Sequence, residues 1–326
     1  MKTLILWLLV TQPFMTALAN SECHSVYSRE CWPRKIQEMV GMMAGEDIER
    51  YNCSGKTEMQ WMETGKTSIV WGVYYIATGL FFQIIGWPIL MILIFKMDGL
   101  TVHRILAFIG FVGITEIWGN SIWPGISVIM GTVYCSHPFV TTFFGKLTMV
   151  QWVLGSTTAI FLGIHRLSNL FTKNRTENNW KTIGWFSLFV VYSLYGSLFY
   201  DTVLFNSRYM APLLNPQIDP QSTDYTNYFL RFHNITVSIA LVLIYGIIAA
   251  IWSRREIVVS SSYVSRTQAS ILIQSLIISA TYAVPAIFFD LMYYIKDCPA
   301  SFTMAADLSY QLSGGEILKP YGTMVL

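Results

Sequence analysis

Apolar residues in this chain do not alternate with polar ones. They run on without interruption. Thr67 to Phe95 contains no charged residue and is closed by Lys96. It is long enough to cross a bilayer with some tilt, with Pro88 inside it. Five further runs follow. They extend from Ile105 to Met130, from Phe139 to Ile164, from Thr182 to Phe199, from Ile235 to Trp252 and from Ala269 to Ile295. Hydrocarbon leaves open backbone groups unpaired, so each run is expected to be a helix. Barrel strands are excluded, because they alternate over about 10 residues and these runs do not. The pattern therefore predicts an all-α membrane protein, a multi-pass bundle of six transmembrane helices. The final segment, 299–326, carries Asp307, Gly314-Gly315, Glu316, Lys319 and Pro320, and no stretch in it approaches 18 apolar residues. No seventh span is expected there.

The start of the chain reads as an address. Lys2 precedes the apolar run Leu4 to Val10, and Ala17-Leu18-Ala19 offers small residues for cleavage after Ala19. That order of charge, apolar core and small residues is a secretory signal over 1–19. Gln12 and Pro13 break the run too early for a membrane anchor. Residues 20–66 are then an extracellular tail, 67–298 the bundle and 299–326 the remainder. With the tail outside, the inner loops hold Lys96, Arg104, Arg166, Lys173, Arg175, Lys181, Arg254, Arg255 and Arg266. The outer loops hold Arg208, Arg231 and Lys296, so nine basic residues oppose three. This is the positive-inside bias, and it agrees with the signal peptide. Six spans from an outside start put the carboxyl end outside as well.

Composition supports the same class. Of 326 residues, 53% are hydrophobic and 12% charged, with a mean hydropathy of +0.46. A soluble domain carries about 25% charged residues, so a large soluble enzyme is disfavoured and disorder is excluded. The net charge of +2 is spread along the chain without a dense basic run, which gives no footing for nucleic acid.

Five cysteines, Cys23, Cys31, Cys53, Cys135 and Cys298, all fall in outer segments under this topology. That placement suits disulfides in an oxidising compartment, and the odd count leaves one thiol over. The sequence does not assign the pairs. Neither Cys-x-x-Cys nor His-x-x-x-His occurs, so no metal site is expected. Asn52-Cys53-Ser54 is an outer glycosylation sequon; Asn234-Ile235-Thr236 lies at a span start and Asn174-Arg175-Thr176 in an inner loop.

Charges inside spans tend to face the bundle interior. Glu116 and Lys146 reach similar depths in neighbouring spans and are expected to form an ion pair. It is either a polar wall of a ligand cavity or a device that fixes helix register; a Lys146 that snorkels outward is the other alternative. Asp290 lies near the outer end of span six. Gly155, Ala159 and Gly163 place small residues on one face of span three, where another helix can approach. Pro285 is a candidate kink in span six.

Several local motifs together resemble the nematode serpentine chemoreceptors of class T, seven-helix proteins of the rhodopsin-like type. Tyr51-Asn52-Cys53-Ser54 resembles the motif before the family's first span. Asn120-Ser121 resembles the polar pair late in span two. Tyr134-Cys135-Ser136 resembles the turn before span three, and Trp152 follows within that span. Arg166 matches the arginine of the family's version of the Asp-Arg-Tyr site. His233-Asn234 and Tyr245 resemble span five, Gln274-Ser275 span six, and Leu308 to Ser313 the entry into span seven. There are departures. Gly113 stands where relatives often carry an acidic residue, His165 stands where many have Asn, and the apolar run of span seven is cut short at Gly314.

The resemblance implies a chemosensory, G-protein-coupled-receptor-like protein of the plasma membrane with a truncated seventh helix and no cofactor. Its partners are a small-molecule ligand, the lipid bilayer and, if the short last helix permits coupling, a heterotrimeric G protein. Glu116, Asn120, Lys146 and Trp152 are the expected ligand-cavity residues, and Arg166 the inner-face switch. A six-span channel or transporter subunit is the alternative, but no filter motif or internal repeat supports it. An intramembrane enzyme lacks a nucleophile or metal constellation.

Overall fold

The computed structural model describes residues 38–39, 41–42, 51–95, 101–171, 179–218, 225–256, 262–295 and 298–316. The signal segment, Cys23, Cys31, Asn174 and the end of the chain after Glu316 lie outside them. Before the first crossing lies a short helix, α1 (Glu58–Met62). The first crossing is α2 (Ile69–Phe95). The second is α3 (Thr101–Ile117), a π-helical turn (Trp118–Ile122) and α4 (Trp123–Met130) in direct succession. The third is α5 (Pro138–Phe171) and the fourth α6 (Asn179–Phe199). A two-stranded hairpin follows, β1 (Leu204–Asn206) antiparallel to β2 (Ala211–Leu213), with Phe205 opposite Pro212. Then come α7 (Tyr228–Glu256), α8 (Ser262–Tyr294) and α9 (Ala300–Glu316).

The expected runs map onto α2 to α8, and both Pro88 and Pro285 lie inside unbroken helices. Among the described residues, five helical stretches are long and apolar enough to cross a membrane, and α8 adds a shorter apolar stretch, Leu276–Met292. The second and third crossings are mostly buried, whereas the first, fourth and fifth turn most of their surface outward. Exposed Ile84, Val191, Ile239, Val242 and Leu243 form the apolar coat that lipid covers. Gly155 and Gly163 have the close-approach role their spacing predicts. A Cβ on Gly155 would meet the Tyr282 hydroxyl oxygen at 2.5 Å, and one on Gly163 would meet Ile244 at 2.9 Å.

The structure departs from the sequence expectation at the carboxyl end. Residues 300–316 form α9, which packs in the bundle against α3, α8 and α2 as a short seventh helix. At about 1.5 Å per residue it spans roughly 26 Å. The reason it escapes a hydropathy reading is local. Thr303, Ala306, Asp307, Tyr310 and Gln311 are buried at helical spacing, so its polar groups face other helices instead of lipid.

The π-helical turn has a sequence cause. Pro124 lacks an N–H, and its ring would crowd the carbonyl of Asn120 in an α-helix. The wider turn relieves this, and the Trp123 N–H bonds to the Trp118 carbonyl five residues back. Residues 119–125 are all buried as a result. Gly131, at φ 75°, ends α4 in the left-handed conformation that glycine adopts freely.

The end of the bundle at which α2 and α5 begin is closed by a small cap. Cys53 and Cys135 form a disulfide, joining the chain before α2 to the turn before α5. Tyr51 packs on Tyr134 and Tyr225 with ring centres 5.5 and 5.6 Å apart. The Trp61 indole donates to the Cys53 carbonyl at 3.0 Å. Burial pushes the Tyr134 phenol up from its ordinary value, with Tyr225 adding to the effect. Part of the expected outer tail, 51–66, is thus packed structure. Asn52 remains exposed there, its side-chain oxygen accepting from the Ser54 backbone at 2.8 Å. Cys298 carries a free thiol, the one such cysteine among the described residues.

Candidate functional site

The hairpin positions the site. Its tip hooks under the loops of the capped end: the Ser207 N–H donates to the Thr132 carbonyl at 3.1 Å, and the Lys66 N–H donates to the Ser207 hydroxyl at 3.2 Å. The Thr303 hydroxyl of α9 donates to the Tyr209 carbonyl at 2.8 Å. Pinned at these points, β2 roofs a space between α5, α7, α8 and α9.

That space is a cavity of about 200 Å³. Its walls are mainly apolar, with Met149 and Trp152 of α5, Leu230 of α7, Phe289 and Met292 of α8, and Leu213 and Leu214 of the hairpin. Its polar groups are few. The Asn234 side-chain oxygen accepts from the Trp152 indole at 2.9 Å, which fixes the ring. Trp152 also meets Tyr310 edge-on at 5.3 Å and Tyr282 at 5.8 Å. Trp152 and Tyr310 form the floor, and Tyr282 packs against Trp152 outside the lining. Beneath them His233 Nε2 lies 2.8 Å from the Ser156 hydroxyl. At the rim Arg231 donates to the Tyr294 hydroxyl at 2.6 Å. A mostly apolar cavity with a few convergent polar groups is the general form of a small-molecule site.

A second, much smaller chamber of about 10 Å³ lies beside it, lined by Asn120, Trp123, Thr141 and Asp307 among others. Thr148, Val203, Pro212 and Tyr310 wall both spaces. The Tyr75 hydroxyl donates to Asp307 Oδ2 at 2.6 Å. The Gln311 amide donates to Thr78 and to Ser121, and the Ser121 hydroxyl donates to the Tyr75 carbonyl at 2.6 Å. Buried polar groups of α9 are thereby tied to the first and second crossings.

The expected cavity residues separate. Trp152 lines the large cavity and Asn120 the small chamber. The expected Glu116–Lys146 pair does not form. Lys146 donates to the carbonyls of Ser197 and Tyr200 at 2.5 and 2.9 Å, tying α5 to the end of α6. Glu116 is fully buried and faces the Tyr310 side chain of α9 instead. Similar depth did not bring the two charges together, because α9 fills the position beside Glu116. Arg166, near the end of α5 away from the cap, lies within electrostatic reach of Tyr245 on α7. The sequence alone does not mark Tyr75, Arg231, Phe289, Asp307 or Tyr310 as site residues. For Asp307 and Tyr310 the spacing of 303, 306–307 and 310–311 was the available signal.

The comparisons with known proteins bear on the same arrangement. The family described as serpentine type 7TM GPCR chemoreceptor Srt matches residues 39–324. The chain belongs to the class T serpentine chemoreceptors. Serpentine receptor class T-55 of Caenorhabditis elegans is 49% identical over 303 residues, covering 91% of this chain and 83% of that protein. Among solved structures, squid rhodopsin matches 80% of this chain and 83% of its own with a TM-score of 0.51 at 12% identity. At that identity the likeness is one of fold, and the fold is rhodopsin-like. The chain is therefore a multi-pass membrane receptor of the chemosensory class and not an enzyme.

Proposed function

We propose that this class T receptor sits in the plasma membrane with its amino end outside and takes a small-molecule ligand into the cavity under the hairpin. The observation that carries this reading is the 200 Å³ space itself, apolar, roofed by β2 and floored by Trp152 and Tyr310. It exceeds the engineered cavity of about 150 Å³ that takes up benzene. The disulfide and the Asn52 sequon lie at the same end, which supports that end being outside. Asn52 is then the glycan acceptor. A ligand touching Trp152, Phe289 and Tyr310 bridges α5, α8 and α9, and it shifts the bundle only as far as it prefers one packing over another. Pro285 in α8 and Arg166 at the inner end of α5 are the places where that shift is expected to be felt. A heterotrimeric G protein at the inner face would read it.

The test is a cell line carrying a G-protein-linked calcium reporter and the full chain, exposed to a panel of water-soluble small molecules. Met292→Trp fills the cavity from its half-buried wall. Responses are expected to vanish in that variant at unchanged surface level. A response that survives Met292→Trp at full potency places the ligand elsewhere.

A further inference from the structure

The chemistry of the ligand's head group is written in the small chamber. This inference rests on the large cavity being the ligand site. Three polar residues line the chamber with a buried oxygen that lacks a hydrogen-bond partner among the described residues: Oδ1 of Asp307, Oδ1 of Asn120 and the hydroxyl of Thr141. Two of the three atoms are acceptors only, and Thr141 serves either way. The Trp123 indole N–H also faces unpaired and adds one donor. Asp307 is 1% exposed, and among the described residues its hydrogen-bond partner is the uncharged Tyr75 hydroxyl on Oδ2. A buried carboxyl without a basic partner is costly unless something supplies the missing donors.

We propose that the ligand is a small primary amine whose ammonium group enters this chamber and pairs with Asp307 while its apolar body fills the large cavity. The sizes agree. The chamber of about 10 Å³ holds one water-sized group, which admits –NH₃⁺ and excludes a trimethylammonium. A primary ammonium has three donors, and Asp307, Asn120 and Thr141 offer three acceptors. Thr148, Val203, Pro212 and Tyr310 stand between the two spaces, so a ligand that joins body to head has to part these side chains. The opposite assignment, an acidic ligand held by Arg231, is disfavoured by its surroundings. Its guanidinium donates to the Tyr294 hydroxyl at 2.6 Å, lies 5.0 Å from that ring and feels the nearby Asp290 carboxyl.

The experiment uses the full chain in lipid nanodiscs and follows its thermal unfolding with four probes of one body size. They are phenethylamine, 2-phenylethanol, phenylacetate and trimethyl-phenethylammonium. Binding to the folded state raises the midpoint by mass action. Phenethylamine is expected to bind about tenfold or more tighter than 2-phenylethanol, the scale of a charge-assisted hydrogen bond, and the trimethyl form to lose that advantage. Asp307→Asn is expected to abolish the advantage of the amine over the alcohol. If Asp307→Asn does not fold, the wild-type ratio decides, together with Tyr75→Phe, which keeps the carboxyl and is expected to keep the preference. Equal binding of amine and alcohol overturns the proposal and leaves the cavity reading intact. So does tighter binding of phenylacetate that Arg231→Gln removes. Absence of binding by all four probes overturns the proposal too, and the Met292→Trp responses then decide separately whether the cavity is the ligand site.

Discussion

At the scale of single residues, the fold depends on places where a side chain is missing. Gly196 on α6 is the sharpest. A Cβ there would lie 2.1 Å from Phe229 Cε1 and 2.3 Å from its Cζ. That ring has nowhere to go, since it is stacked on Tyr200 at 5.2 Å and on His233 at 6.2 Å and touches Tyr192 at 5.1 Å. Gly184, about three helical turns earlier, has nothing within 4 Å among the described residues and faces outward. Gly196→Ala is therefore expected to destabilise by about 1–3 kcal/mol through overpacking. Gly184→Ala is expected to be neutral or to stabilise by up to about 1 kcal/mol through helix propensity. Thermal unfolding of the two variants in detergent checks this, and equal midpoints would show that the α6–α7 contact is looser than described. None of this was readable from sequence. Both residues are glycines in the same apolar run, and only the partner helix distinguishes them.

At the scale of elements, α9 shows why hydropathy reads some membrane helices and not others. Crossings one to five turn apolar residues to lipid, and their runs are plain in the sequence. A helix whose buried face is polar and whose outer face is small presents no such run. Asp307, which argues against a span when read alone, is held by Tyr75, and Gln311 reaches Thr78 and Ser121. The resemblance to class T receptors placed the start of a seventh helix at Leu308 to Ser313, and the structure starts it at Ala300. The motif pair around Cys53 and Cys135 was legible as two separate signals, and the structure joins them. The pairing of Glu116 with Lys146 was inferred without α9 and fails for that reason. The polar tie itself is testable by a double-mutant cycle with Gln311→Leu and Ser121→Ala. Hydrogen bonds between helices in membranes average about 0.6 kcal/mol with a maximum near 1.7 kcal/mol. A coupling energy within that range is expected from unfolding midpoints of the two single variants and the double variant. Strictly additive effects would mean that the Gln311–Ser121 contact contributes nothing to holding α9.

At the scale of the whole molecule, the number of crossings decides which side the chain faces after α9. The helix begins beside the hairpin, where Thr303 bonds Tyr209, and its later residues reach the middle of the first and second crossings. Its direction is therefore inward from the capped end. Six spans counted on apolar runs alone lead to the opposite expectation, with the carboxyl end outside. The two readings share the same evidence for the amino end and for loop charge, so only the last helix separates them. One tag placed after Ala19 and another after Leu326, stained on intact and on permeabilised cells, distinguishes them directly. The seven-helix arrangement predicts that the amino-terminal tag stains on intact cells and the carboxyl-terminal tag only after permeabilisation. Staining of both tags on intact cells would mean that α9 turns back before the inner face. The receptor would then lack a seventh inner helix end, and coupling to a G protein would need a partner chain to supply that surface.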